Sequence, residues 1–247
     1  MLSKLLYHID RRRKLKILSP LLLQLRIQEA TTQKRFDFNQ KDIVPFLSDK
    51  TTETLFDRHY VYHPAWAARI LSKTNPAEHV DISSTLHFCS IMSAFMMVKF
   101  YDYRPAQLTL SDLETGHQDL TKLSFADNSI HSLSCMHTVE HIGLGRYGDA
   151  IDYDGDEKAM KELARVLKAK GDLLFVTPIG ATAKIVFNAH RIYTKELVVK
   201  TFLKFGLSLK EFTLIPENGA DGGLVINPTD ELLQKQNYGC GCFWFTK

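Results

Sequence analysis

No apolar run in this 247-residue chain approaches the roughly 20 residues that a bilayer-spanning helix needs, so no transmembrane span is expected. The N-terminus lacks a small-residue cleavage site, so no signal peptide is expected either. Cysteine is scarce. Four residues, Cys89, Cys135, Cys240 and Cys242, cannot make a disulfide scaffold; the first two read as buried thiols, and the count suits a reducing compartment. Cys240-Gly241-Cys242 places two thiols too close for an ordinary disulfide, and no second pair exists to complete a four-cysteine zinc site. No metal site is therefore expected. The net charge of +3 is too small to argue for a nucleic-acid partner. Low-complexity tracts and repeats are absent, and an apolar content of 45% is that of a globular chain with an ample core.

The charge is unevenly placed. Residues 1–50 hold eleven Lys or Arg against five Asp or Glu, a local +6, while the remainder sums to −3. Residues 1–55 read as an appended basic helical extension, interrupted by Pro20. Arg11-Arg12-Arg13-Lys14 ahead of Leu21-Leu22-Leu23 suits a basic amphipathic segment. Through residues 1–26 it offers peripheral contact with the inner face of an anionic membrane. The competing and favoured expectation is a solvated helix docked on a cytoplasmic protein's body.

From residue 56 onward, strand and helix patterns alternate. Strands are expected at 78–82, 96–101, 129–136, 172–176, 207–215 and 242–245. Helices are expected at 85–95, at 156–167 stopped by Gly171, and at 194–205 before Gly206. Pro178 is expected to end its strand. This alternation predicts an open, mostly parallel sheet with helices on both faces. Ligands of such sheets sit at the carboxyl ends of the strands.

Those strand ends carry acids. Asp102 follows Asp81 by 21 residues, the interval at which a carboxylate holds the hydroxyls of a nucleoside ribose. Asp119 stands 17 residues further on, placed to meet a base edge. The turn after the first strand, Ser83-Ser84-Thr85-Leu86-His87, lacks the glycines that let backbone approach a diphosphate. Serine can cap the next helix but takes positive φ only with strain. A cofactor without phosphates at that turn fits better.

His137-Thr138-Val139-Glu140-His141 matches an inverted zinc-peptidase string, which would make the chain a metal-dependent hydrolase if the run were helical. A strand leads directly into His137, and Gly143, Gly145 and Gly148 follow, so a helix is not expected. The remaining readings are a hydrogen-bonded loop, or catalytic and positioning groups over the sheet edge. His is suited to proton transfer near neutral pH.

Residues 119–130, their continuation to His141, and residues 161–174 and 191–197 resemble class I S-adenosylmethionine-dependent methyltransferases. Within that superfamily the chain is similar to an uncharacterised, mainly bacterial group associated with surface-polysaccharide biosynthesis. The resemblance is carried by residues 59–63, Trp66-Ala67, 140–149, 187–191 and 238–242. It covers roughly residues 56–247 and implies a Rossmann-like three-layer αβα sandwich with a seven-stranded, mostly parallel sheet. It implies S-adenosylmethionine as cofactor, held by Asp81, Ser83, Ser84, Asp102, Asp119 and Leu120. His137 would be the general base, oriented by Glu140 or His141, with Arg146, His190 and Arg191 gripping an anionic small-molecule or glycan acceptor. The missing glycines leave a second reading, a catalytically inactive binding subunit in glycan assembly.

Overall fold

The computed structural model describes the backbone of residues 2–247 and side chains from residue 6 onward. The chain divides into two compact units at Leu55/Phe56.

In the first unit, helix α1 spans Leu2–Thr31 and runs through Pro20, against the expected break. Proline has no N–H for the carbonyl one turn earlier, which normally interrupts a helix. Here the Ser19 hydroxyl donates to the Lys16 carbonyl at 2.8 Å and replaces the lost partner. Arg26 donates to the Glu29 carboxylate and the Phe38 carbonyl, with its guanidinium over the Phe38 ring. The helix is less amphipathic than expected. Leu6, Ile9, Ile17, Leu21, Leu23, Leu25 and Ile27 are all exposed, and they spread over a broad arc of the helix rather than one narrow face. Among the described residues, no helix is long and apolar enough to cross a membrane.

The second unit opens with helix α2 (Arg58–Thr74), capped by Asp57, whose carboxylate accepts from the Tyr60 N–H. The sequence reading does not anticipate it, because His59-Tyr60-Val61-Tyr62-His63-Pro64 mixes aromatic, β-branched and proline residues. Then follow β1 (Glu78–Ile82), α3 (Leu86–Met92), β2 (Met97–Asp102), β3 (Leu113–His117) and β4 (Ile130–Met136). Next come α4 (Gly155–Val166), β5 (Leu167–Ile179), and an antiparallel ribbon of β6 (Lys184–Val186) and β7 (His190–Ile192). The chain closes with α5 (Lys195–Lys204), β8 (Ser208–Ile215), β9 (Val225–Ile226), α6 (Asp230–Gln234) and β10 (Gly239–Thr246).

The main sheet has the order β3-β2-β1-β4-β5-β10-β8-β9. β3, β2, β1, β4 and β5 are parallel, and β10 is antiparallel to both of its neighbours. The sheet has eight strands rather than the expected seven, the extra one being the two-residue edge strand β9. Strand alternation sends Leu173, Phe175, Phe212, Phe243 and Phe245 to the face covered by α4 and α5. Leu174, Val176, Cys240 and Cys242 go to the face covered by α2 and α3. The architecture is a three-layer α/β sandwich with a Rossmann-like, mostly parallel sheet.

Two expected boundaries are corrected. Helix α4 passes directly into β5 at Leu167, and Gly171 lies inside that strand, next to Lys170 at φ 62°. There the pairing with β4 jumps from Ile130–Leu167 to Ser132–Asp172, an irregularity that accommodates both residues. Pro178 does not end β5 but lies opposite Cys240 in β10. β4 has already ended at Met136, so proline's missing donor faces no ladder.

Arg165 of α4 fixes the β3–β4 connection. Its guanidinium donates to the Leu123 and Phe125 carbonyls and to the carboxylates of Asp127 and Glu162. Arg165→Met leaves those acceptors without a donor, and we expect a loss of about 2–4 kcal/mol of unfolding free energy in urea titrations.

Candidate active site

At the carboxyl ends of β1, β2 and β4, two clefts meet. One of about 370 Å³ is lined by Ser83, Asp102, Asp119, Leu120, Thr138 and Asp149, among others. The other, of about 660 Å³, is lined by Tyr60, Ser84, Glu140, Arg146, His190 and Tyr238, among others. Ser83, His137, His141 and Tyr147 form walls of both.

The turn between β1 and α3 rests on a buried polar chain. The Ser134 hydroxyl donates to Asp81, and the His79 ring bridges the hydroxyls of Ser134 and Ser132 at 2.8 Å each. Asp81 also accepts from the Ser84 N–H at 2.9 Å. Burial pushes the Asp81 carboxyl up to about 6. Asp81 lines neither cleft and acts on the turn from below. Ser84 accepts from the Met136 N–H, tying the turn to β4. Ser83 takes φ 58°, the left-handed conformation expected to demand glycine. It is held there because its N–H donates to the Tyr101 carbonyl at 2.7 Å and its own carbonyl accepts from the Thr138 hydroxyl at 2.8 Å. Thr85 caps α3, accepting from the Phe88 N–H.

Asp102 ends β2. One of its oxygens accepts from the Arg104 N–H at 2.7 Å, and the other has no protein partner among the described residues. Asp119 accepts from the Thr121 N–H and hydroxyl, with Leu120 packed beside it in the core. Both acids and Leu120 face the smaller cleft.

The His137–His141 run is not a helix. β4 stops at Met136, His137 takes φ 57°, and Val139–His141 is a single 3-10 turn. The zinc-peptidase reading is thereby corrected, because the helix that string requires does not form. Glu140 is 1% exposed. One oxygen accepts from His137 Nδ1 at 2.9 Å, and the other has no partner. His137 Nε2 lies 3.4 Å from Cys240 Sγ. Burial works against a charge on His137, but the Cys240 sulfur and the Glu140 carboxylate outweigh it, so its pKa is raised. With both ring nitrogens engaged, His137 is not the free base that the sequence reading assigned.

His141 is better placed. Its Nδ1 lies 2.7 Å from the Ala189 carbonyl, which fixes the proton on that nitrogen and leaves Nε2 with its lone pair. Burial is the main cause of a pKa below the ordinary imidazole value, so His141 is neutral at pH 7. Glu140 lies 3.9 Å from Nε2. The glycine-rich loop after it folds around Asp149, whose carboxylate accepts from the N–H groups of Gly143, Gly145 and Tyr147. At Gly143, φ 76°, a Cβ would lie 2.1 Å from the Asp152 carbonyl oxygen, so only glycine fits.

Among the three residues assigned to the acceptor, Arg146 and His190 line the larger cleft. Arg191 does not. It is 5% exposed and donates to the carbonyls of Ile142, Asp152 and Tyr153, so it braces the loop from behind. Residues the sequence reading left unassigned arrive from both ends of the unit. α2 supplies His59, Tyr60 and His63, and β10 with its preceding loop supplies Tyr238 and Cys240. The helical spacing of His59 and His63 was the available signal. His59 stacks on His137 and Tyr238 at 5.2 and 5.0 Å between ring centres. Donor atoms of His59, His137 and Cys240 lie within 4.8 Å of one another, a set able to hold a metal ion that was not expected from the sequence.

A family model described as "Caenorhabditis protein of unknown function, DUF268" matches residues 96–210. No curated protein matches the sequence. Among solved structures, 1,6-didemethyltoxoflavin-N1-methyltransferase of Burkholderia thailandensis, with 1,6-didemethyltoxoflavin and S-adenosylhomocysteine bound, aligns at TM-score 0.55 and 9% identity. That alignment covers 76% of this chain and 78% of that one. A methyltransferase candidate from Bacillus halodurans C-125 aligns at TM-score 0.52 and 18% identity, over 74% and 98% of the two chains. The [4+2]-cyclase SpnF aligns at 0.51 and 12%, over 74% and 81%. At these identities the likeness is one of fold.

Two measurements test the turn. Ser83→Gly relieves a strained left-handed residue, and we expect a gain of about 0.5–1 kcal/mol in denaturant unfolding, whereas Ser83→Val costs more than about 2. Asp81 has a folded-state pKa raised from 3.8 to about 6, so its contribution to stability is complete below pH 4 and is lost as pH rises through 6. The shift of about two units corresponds to about 3 kcal/mol. Asp81→Asn should remove that fall from urea midpoints measured between pH 4 and 7.

Proposed function

We propose that the chain is an S-adenosylmethionine-dependent methyltransferase acting on a hydroxyl of a sugar or surface-glycan precursor. The observation that carries this reading is the meeting of the two clefts at Ser83, His137, His141 and Tyr147, with acids on one side and aromatic and cationic groups on the other. The smaller cleft fits the cofactor. Asp102 keeps one carboxylate oxygen without a protein partner, suited to ribose hydroxyls, while Asp119 and Leu120 stand where an adenine would lie. Ser83 supplies the close-approaching backbone that glycine supplies elsewhere.

S-adenosylmethionine, when bound, supplies an electrophilic methyl group. The protein's work is to orient the acceptor and to take up its proton. His141 Nε2 is the base, neutral before the reaction and with its tautomer set by the Ala189 carbonyl. The Glu140 carboxylate stabilises the imidazolium that forms. Arg146 and His190 hold an anionic group of the acceptor, and Tyr60, Tyr147 and Tyr238 offer flat faces for a sugar ring. The positive-φ conformation of Ser83 supports this reading over the inactive-subunit one.

Isothermal titration with S-adenosylhomocysteine tests the cofactor assignment. We expect saturable binding that Asp102→Ala weakens at least tenfold, and no binding at millimolar ligand would end the reading. Transfer of labelled methyl to a cell-envelope glycan fraction tests the acceptor. His141→Ala should lower the rate by about 10²–10⁴ while cofactor binding survives. Because burial lowers the His141 pKa, the rate should stay flat through neutral pH and fall only on acidification below the ordinary imidazole range.

A further inference from the structure

Beneath the larger cleft, helix α2, the end of β4 and β10 bring His59, His63, His137 and Cys240 together. We propose that these four side chains form a closed, tetrahedral zinc site that pins α2 to the sheet. His59 and His63 lie one turn apart on one face of α2. Their rings pack around that of His137, with centres 5.2 and 5.0 Å away. Cys240 projects from β10 toward the same point, with its sulfur 3.4 Å from His137 Nε2.

His63 has one ring nitrogen occupied and one left over, while His137 directs its second nitrogen at the Cys240 sulfur. His63 Nδ1 lies 2.6 Å from the His59 carbonyl and must carry the proton. Its Nε2 is then a bare lone pair, and it has no partner although His63 is fully buried. His137 Nδ1 is bound by Glu140, which turns Nε2 toward Cys240. The His59 ring is held between those of His137 and Tyr238, at 5.2 and 5.0 Å between centres. This is the arrangement of metal-binding histidines, whose second nitrogen is fixed by a carbonyl or carboxylate.

The competing explanation is a hydrogen-bonded histidine stack in the core. It leaves the His63 lone pair and one Glu140 oxygen unsatisfied in the same buried region, where each such group is costly. A divalent ion satisfies the His63 lone pair and supplies a positive charge beside the Glu140 carboxylate. It takes the lone pairs of three neutral imidazoles and displaces the Cys240 proton to bind the thiolate. The ion, the thiolate and the Glu140 carboxylate then sum to zero charge, the condition under which a buried ionic group is tolerated. One thiolate and three imidazoles, with no oxygen ligand, select zinc over calcium, magnesium or manganese. Tetrahedral bonds to nitrogen and sulfur place ligand atoms roughly 3.3–3.6 Å apart. The donor atoms of His59, His137 and Cys240 lie within 4.8 Å of one another, and His63, outside that set, is the fourth ligand that its unpartnered Nε2 and its ring contact with His137 point to. Four protein ligands leave no open position, so the ion is structural and takes no part in methyl transfer.

The test uses the full chain and does not depend on cofactor binding or activity. Metal analysis of protein purified without chelator should find about one zinc per chain. Cobalt added to chelator-treated protein should give the intense visible bands of a tetrahedral ion and a thiolate charge-transfer band. Cys240→Ser should abolish the charge-transfer band, and His63→Ala should weaken cobalt binding at least 100-fold. Cys89→Ala, which alters a thiol away from the four ligands, should leave both unchanged. Zinc below about 0.1 per chain together with no tetrahedral cobalt spectrum in the unmodified protein would overturn the proposal. So would wild-type spectra and affinity in both the Cys240 and His63 variants.

Discussion

The hydrogen bond between His137 and Glu140 lies where the sheet, helix α2 and both clefts converge, and much of the site depends on it. It forms because β4 ends one residue earlier and the chain turns at once through a left-handed residue, which swings the imidazole under the cleft floor instead of along the strand. That turn carries Glu140 into the interior and leaves His141 on the cleft wall. It also directs Nε2 of His137 at β10 rather than into the clefts. Two histidines four residues apart thus acquire different surroundings: one with both nitrogens engaged and its pKa raised, the other neutral with a free lone pair.

The smaller cleft depends on a second buried constraint. A carboxyl at the end of β1 is out of water, and its partners come from β4 and from the turn itself. The cost of burying Asp81 is offset by the hydrogen bonds that hold the Ser83–Ser84 turn in place. A serine at positive φ is strained in isolation. Here Tyr101 and Thr138 hold its backbone on both sides, so the surrounding strands rather than the residue type set its conformation. Arg165 does similar work for the β3–β4 connection, and Arg191 for the loop around Asp149. Arg191, expected at the acceptor, thus serves as an internal brace, as Arg165 does.

Much of the fold was legible because period and punctuation agreed. Glu78–Ile82 reads as a strand and is one, and Thr85 and Thr194 cap the helices they precede. Helix α2 was illegible because its first turns are aromatic and interrupted by Pro64. Burial of Trp66, Ala67, Ile70 and Leu71 against the sheet overrides that weak propensity. β3 was missed because Glu114, Thr115 and Gly116 carry little apolar signal, and its pairing with β2 supplies what local sequence does not. Pro20 and Pro178 show the converse. Each is a breaker by rule, and each is accommodated where a neighbouring hydroxyl or an absent ladder removes the penalty.

By itself, the sequence determined the alternating α/β order, the mostly parallel sheet, and the acids at the ends of β1 and β2, since strand and helix periods are local properties of the chain. It also singled out the His137–His141 run, while the cysteines offered no sign of a site. Only the tertiary structure decided which histidines and cysteines meet. His59, His137 and Cys240 are separated by nearly the length of the domain, and packing of α2 across β10 and β4 brings them to one point. The same packing decided that His141 rather than His137 keeps a free nitrogen, and that Arg191 faces inward. Partners distant in the chain set those outcomes, and no local pattern encodes them.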